Sequence, residues 1–206
     1  MFLEQVFGQG NLWWAPSQPK NSKTDAKPYT LFKSFYTDPG AEQDMAASLA
    51  SVLEGYGQKV LVICIGTDSN IGDALGPLVG TFLKERGSRL PVYGTLDSPV
   101  HAQNLVKQVG KIKSCHAGYL HIAVDASLSR QEEVGVVEIR NGGLYPGRAL
   151  NKSLPQVGHI SILGKVGVYI EEDGIRGLYS GRLGLVYQMA SFIAQGILLW
   201  EKEQDW

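Results

Sequence analysis

The run KVLVICIGTDSNIGDALGP, residues 59–77, decides the fold. Residues 59–65 are an almost unbroken series of β-branched and aliphatic side chains. A strand without polar alternation fits a parallel sheet covered by helices on both faces. The run stops at Gly66. A loop at 67–73 then leads into a pattern in which Leu75, Leu78, Val79, Phe82 and Leu83 recur at helical spacing until Gly87. Strand, loop and helix in this order make the first half of a βαβ unit.

The same rhythm extends in both directions. Upstream, Asp38 and Pro39 read as the N-cap and first residue of a helix carrying Met45, Leu49, Val52, Leu53 and Tyr56, ending near Gly57. Downstream come a strand at 91–96, a loop with Asp97 and Pro99, a helix near 101–112, and a strand at 119–124 that ends at Asp125. Two short strands, 135–140 and 159–163, flank a glycine-rich loop, and a last helix near 180–203 places Leu183, Tyr187, Ala190, Ile193, Ala194 and Ile197 on one face. This alternation predicts a single α/β domain over 29–206: a mainly parallel sheet, helices on both faces, right-handed crossovers. Residues 1–28, with Trp13, Trp14, Pro16 and Pro19, show no period. They read as an arm that covers the chain's own core or makes a homo-oligomer contact.

The chain has 206 residues, 44% of them hydrophobic and 19% charged, within the range of a domain that buries a substantial core. A formal charge of −1 supplies no global field toward nucleic acid or anionic lipid, so neither is an expected partner. Two cysteines, Cys64 inside an apolar run and Cys115 beside His116, do not make a disulfide framework or a zinc site. The first residues lack the pattern of a secretory signal, and no run approaches the roughly 20 apolar residues of a membrane span. The expectation is a cytoplasmic protein with no membrane partner.

In an open α/β sheet, ligands gather outside the carboxyl ends of the strands. The loops after residues 65, 96 and 124 all carry aspartates: Asp68 and Asp73, Asp97, and Asp125. Asp125 follows an apolar strand directly, so the strand itself sets its position. Asp73 is also placed to N-cap the helix that begins at Ala74, and Asp125 to bond a turn near Ser127. Two carboxylates at neighbouring strand ends can share one proton and supply an acid and a base, or together bind a divalent metal.

At these residues the chain resembles a known group. Residues 65–77 resemble the loop of bacterial spore germination proteases, in which Asp-Ala-Leu-Gly-Pro opens a helix. Ala123-Val-Asp-Ala126, Gly143-Leu-Tyr-Pro-Gly147 and Asn151-Lys152 follow in the same order, and residues 58–195 as a whole are most similar to the sporulation protein YyaC family, small relatives of that protease. The resemblance implies an endopeptidase of sporulating cells or spores in which Asp73 and Asp125 are catalytic. The loops around them, with Gly66, Thr67, Asp68, Asp97 and His101, would then bind a protein or peptide such as small acid-soluble spore proteins. No cofactor is implied by that relation. The hydrogenase maturation endopeptidases, whose fold is similar, imply instead a nickel site of Asp73, Asp125 and His159, although they carry Gly-x-Gly-Asn where this sequence has Cys64-Ile-Gly-Thr67. The remaining reading is a binding protein of the same fold without catalysis.

Other chemistries lack their residues. Gly66, Gly72 and Gly76 miss the dinucleotide spacing, and no Gly-x-Ser-x-Gly elbow occurs. Cys64 and Cys115 read as structural or incidental thiols, and His101 and His121 as ordinary helix and strand residues.

Overall fold

The computed structural model describes residues 29–54, 59–146, 155–172, 175–180 and 182–204. The arm at 1–28, including Trp13 and Trp14, lies outside them. The elements are β1 (Thr30–Phe35), α1 (Ala41–Leu53), β2 (Val60–Cys64), a 3-10 turn (Ile71–Ala74), α2 (Leu75–Glu85), β3 (Val92–Tyr93), α3 (Leu105–Cys115), β4 (Leu120–Ser129), a second 3-10 turn (Gln131–Glu133), β5 (Val136–Asn141), β6 (Ile160–Glu172), β7 (Ile175–Ser180) and α4 (Leu183–Lys202).

The strands form one sheet in the order β1-β5-β6-β4-β2-β3, with β7 also on β6. β6, β4, β2 and β3 are mutually parallel, as the βαβ rhythm predicts. Beyond β6 the sheet turns antiparallel through β5, β1 and β7. Helices cover both faces. Met45 and Leu49 of α1, Leu75, Val79 and Leu83 of α2, and Met189, Ile193 and Ile197 of α4 bury against Val60, Val62, Ile122, Val124 and Ile162. On the other face Leu105, Val109 and Ile112 of α3 cover Leu61, Ile63 and Ala123. Each such side chain stabilises the fold by about 1.5–3 kcal/mol, before the entropy of ordering the chain is set against it.

Several expectations change at the element ends. Asp38 does not cap α1: its carboxylate accepts hydrogen bonds from the Ser34 hydroxyl (2.7 Å) and the Phe35 amide (3.0 Å), closing the turn after β1. The helix starts after Gly40, whose φ of 80° only glycine adopts easily. The 91–96 strand shrinks to the two residues of β3, and the helix expected from 101 begins at Leu105, leaving His101 in the preceding turn. That helix ends on Cys115, which is helical rather than in a loop. β4 does not end at Asp125 but continues to Ser129, because β6 pairs with it as far as Val168. β1 and β7 add to the strands expected from the sequence pattern. α4 is also long and apolar enough, by length and composition, to cross a membrane, contrary to the expectation that no stretch is. Its apolar side chains are those that pack on α1, α2 and the sheet.

Two polar clusters tie the helices and the antiparallel half in place. Glu201, only 3% exposed near the end of α4, accepts from the Ser88 hydroxyl (2.7 Å) and the Arg89 amide (2.6 Å). Lys165 of β6, 7% exposed, pairs with Glu133 at 2.9 Å and Glu138 at 3.7 Å. Arg140 reaches Glu138 at 2.7 Å.

α2 packs closely on the chain at the ends of β2 and β3. A Cβ on Gly76 would sit 2.1 Å from the Ile65 carbonyl oxygen, and one on Gly80 would sit 2.0 Å from that of Gly94. Helix backbone therefore rests on strand backbone. Gly76→Ala is expected to lower stability by about 2 kcal/mol or more, because displacing the helix (~1–3 kcal/mol or above) outweighs the ~1 kcal/mol gain in helix propensity. Denaturant midpoints check this, and an unchanged midpoint would contradict so close an approach.

Candidate active site

The loop between β2 and α2 is folded around one aspartate. Asn70 starts it: its side-chain oxygen accepts from the Gly72 amide (3.0 Å), and its carbonyl accepts from the Asp73 amide (3.0 Å). The Asp73 carbonyl in turn accepts from the Thr67 amide at 3.1 Å. Gly66, at φ 139°, makes that closure possible, since a Cβ there would lie 2.0 Å from the Asp73 carbonyl oxygen. Asp73 does not N-cap α2, whose N-cap is Ala74 with no side-chain cap bond. The carboxylate is left for other work.

Asp125 comes from the neighbouring strand. On β4, His121, Ala123 and Asp125 alternate with the core residues Ile122 and Val124, and Ala123 faces α3. The Ile65 amide donates to the Val124 carbonyl (2.7 Å), so β2 ends level with Asp125. One carboxylate oxygen of Asp125 accepts from the Ala126 amide at 2.8 Å, rather than bonding near Ser127.

The charge of Asp73 acts on Asp125. Burial pushes the Asp125 carboxyl well above the usual carboxylate range, the negative charge of Asp73 pushes it further, and the Ala126 amide only partly opposes them. Burial also raises Asp73, while the Thr67 amide and the nearby His101 charge pull it back. Of two half-buried carboxyls that feel each other's charge, the one raised further keeps its proton more readily. That group is Asp125.

His101 joins the pair through the turn before α3. Its amide donates to the Asn104 side-chain oxygen (2.9 Å), and the Asn104 side-chain amide donates to the Pro99 carbonyl (3.0 Å). Val100 bridges to Ile65, and its carbonyl accepts from the Gly66 amide at 2.9 Å, stitching this turn to the end of β2. Asn70, Val100 and Asn104 are positioning residues that sequence reading missed. The Asx-turn habit of asparagine was the signal for Asn70 and Asn104; nothing local marked Val100.

The other expected residues are placed differently. Thr67 spends its hydroxyl inside the loop, with Ser69 Oγ at 3.1 Å, and Gly66 acts sterically. Asp68 is exposed with its carboxylate toward the Thr67 hydroxyl, and Asp97 is exposed on the turn closed by the Thr95 amide and Ser98 carbonyl. His159 does not join the aspartates. Its Nδ1 accepts from the His121 amide (2.9 Å), its ring packs edge-on against His121, and burial lowers the pKa of both, that of His121 to about 4. These histidines start β6 and β4, about 13 Å along the strand from Asp125 at ~3.3 Å per residue. Among the described residues no three His, Cys, Asp or Glu side chains are grouped to hold a metal ion, so the donor set of Asp73, Asp125 and His159 is not assembled.

Comparison with known proteins agrees with the sequence resemblance. The family profile described as a protein of unknown function, DUF1256, matches residues 33–196. The uncharacterized protein YyaC of Bacillus subtilis (strain 168) is 40% identical over 173 residues, covering 82% of this chain and 83% of that protein. The chain belongs to this family. Among solved structures, a [NiFe] hydrogenase maturation protease, HycI from Thermococcus kodakarensis KOD1, is similar at a TM-score of 0.49 and 23% identity, over 75% of this chain and 99% of that one.

The raised carboxyls carry a pH signature. A carboxyl whose pKa is higher folded than unfolded holds more protons in the native state, so its contribution to stability is full below about 3.8 and is lost as pH rises through the folded value. Wild-type stability is expected to decline across that window, while Asp125→Asn flattens the decline and is the more stable protein at neutral pH. Denaturant unfolding at a series of pH values checks it. Parallel curves for the two proteins would contradict the buried pair.

Proposed function

Taking membership of the DUF1256 and YyaC family as premise, we propose that this chain is a peptidase that hydrolyses a peptide bond with Asp73 as base and Asp125 as acid. The observation that carries the reading is the placement of two carboxyls on adjacent elements at the carboxyl edge of the sheet, where the charge of Asp73 raises Asp125 further. Asp73 takes a proton from water as its oxygen attacks the carbonyl carbon. Asp125 gives its proton to the carbonyl oxygen. When the tetrahedral species collapses, the C–N bond breaks and the nitrogen takes up the proton held by Asp73, while the hydroxyl proton returns to Asp125. The pair ends as it began, with one proton. A positioned acid or base of this kind contributes about 10²–10⁴ in rate.

The resemblance to spore germination proteases points to small acid-soluble spore proteins as substrates and to the sporulating cell or spore as the setting. No step requires the metal of the maturation endopeptidases, since His159 is held by His121 away from the pair.

The test incubates purified wild type, Asp73→Asn and Asp125→Asn with small acid-soluble spore proteins, with and without chelator. Wild type is expected to cleave in both conditions, and each variant to lose at least about 10²-fold of the rate. Cleavage that survives both substitutions overturns the aspartate mechanism, and loss with chelator alone replaces it with a metal-dependent one. No cleavage by wild type moves the function to binding without catalysis.

A further inference from the structure

Resting on the peptidase reading, we infer that the free edge of β3 takes up an extended segment of the substrate as an added strand. Among the described residues β3 is the terminal strand of the parallel half. Its ladder to β2 uses the Pro91 carbonyl, which accepts from the Val62 amide at 3.0 Å. Bonding residues alternate along a parallel ladder, so the N–H and C=O of Val92 point to the open side. An edge of this kind is a template for strand addition, and proteins that avoid it cover or block it.

Among the described residues a cleft lies along this edge. It measures about 210 Å³ and is lined by Val92, Tyr93, Gly94 and Thr95, with Lys84 of α2 on one flank and Gln108 of α3 on the other. Those helices cover opposite faces of the sheet, so the cleft lies at the rim between them. Its volume falls below the roughly 300 Å³ at which small-molecule pockets begin. It suits a length of main chain with one or two side chains. Lys84 is exposed and no carboxylate lines the cleft, so the side chain it receives is acidic rather than basic.

The edge also leads to the chemistry. The chain leaving β3 runs through the Thr95–Ser98 turn to Val100, which bridges Ile65, and to His101, whose charge acts on Asp73. A strand added to β3 would lie three strand spacings from Asp125, about 14 Å at ~4.8 Å each. That is about four extended residues. The recognised segment and the scissile bond are therefore separate parts of one peptide that bends across the carboxyl edge.

The test uses full-length Asp125→Asn, which removes the proposed acid, and a fluorescein-labelled peptide alternating valine and glutamate, read by anisotropy. Two further copies carry N-methyl amides on the odd or on the even residues. Because one edge of an added strand faces β3, one methylated copy is expected to bind at least about tenfold more weakly and the other unchanged. Val92→Pro, which removes the outward N–H at a position where an edge strand accepts proline, is expected to weaken binding similarly. Lys84→Glu should reverse the preference for the glutamate peptide over its lysine counterpart. Absence of binding by the unmodified peptide, or equal binding of both methylated copies, overturns the inference. If Val92→Pro does not fold, the methylated peptides decide alone. Binding with this pattern but without wild-type cleavage of spore proteins would defeat the peptidase reading and leave the edge site standing; the converse would do the opposite.

Discussion

Everything at the site depends on one contact between backbones: the start of α2 lies directly on the end of β2. Gly76 meets Ile65 where no side chain fits, and Gly66 lets the Asp73 carbonyl come within reach of the Thr67 amide. Any Cβ at these two glycines would push the helix away from the strand. With the helix in contact, the loop has to close over the end of β2, where the charge of Asp73 acts on Asp125. Without that approach the same two residues would be solvated surface carboxylates with little influence on each other.

The cost of the arrangement is electrostatic. Both carboxyls are pushed up by burial, and Asp125 is pushed further by its neighbour. Such strain persists because the surroundings over-determine it. β2 is buried along its whole length between two hydrophobic layers, and the loop is pinned at Asn70, Thr67 and Val100. A destabilised pair on a rigid floor is a common bargain at functional sites, where stability is given up for reactivity. The histidines at the opposite end follow the same burial physics with the other sign, since desolvation disfavours their cationic form.

The central βαβ unit was legible because its signal is strong and local: a continuous apolar strand, a glycine stop and a helical period. What escaped had weak or competing signals. β7 contains a glycine and few apolar residues, and the polar tail of β4, Ala126–Ser129, is strand only because the long β6 pairs with it. At Asp38 two local bonds competed, and the turn after β1 won over the helix cap. For the site, the placement of Asp73 and Asp125 followed from where parallel strands end, whereas their coupling required a loop closure that no spacing reveals. The nickel donor set implied by the resemblance to maturation endopeptidases is not assembled for a reason the topology supplies: His159 opens its strand, as His121 does, and parallel strands put their beginnings together at the edge opposite the aspartates.

The central claim is that Asp73 and Asp125 hold one proton between them. The most direct measurement is an infrared pH titration of the protonated-carboxyl band in wild type and in Asp73→Asn. The account predicts one carboxyl still protonated well above pH 4 in wild type, with its midpoint moving down when the Asp73 charge is removed, because that charge is part of what holds the proton on Asp125. Loss of the whole band at ordinary carboxylate pH in wild type, or a midpoint that does not move in Asp73→Asn, would contradict it.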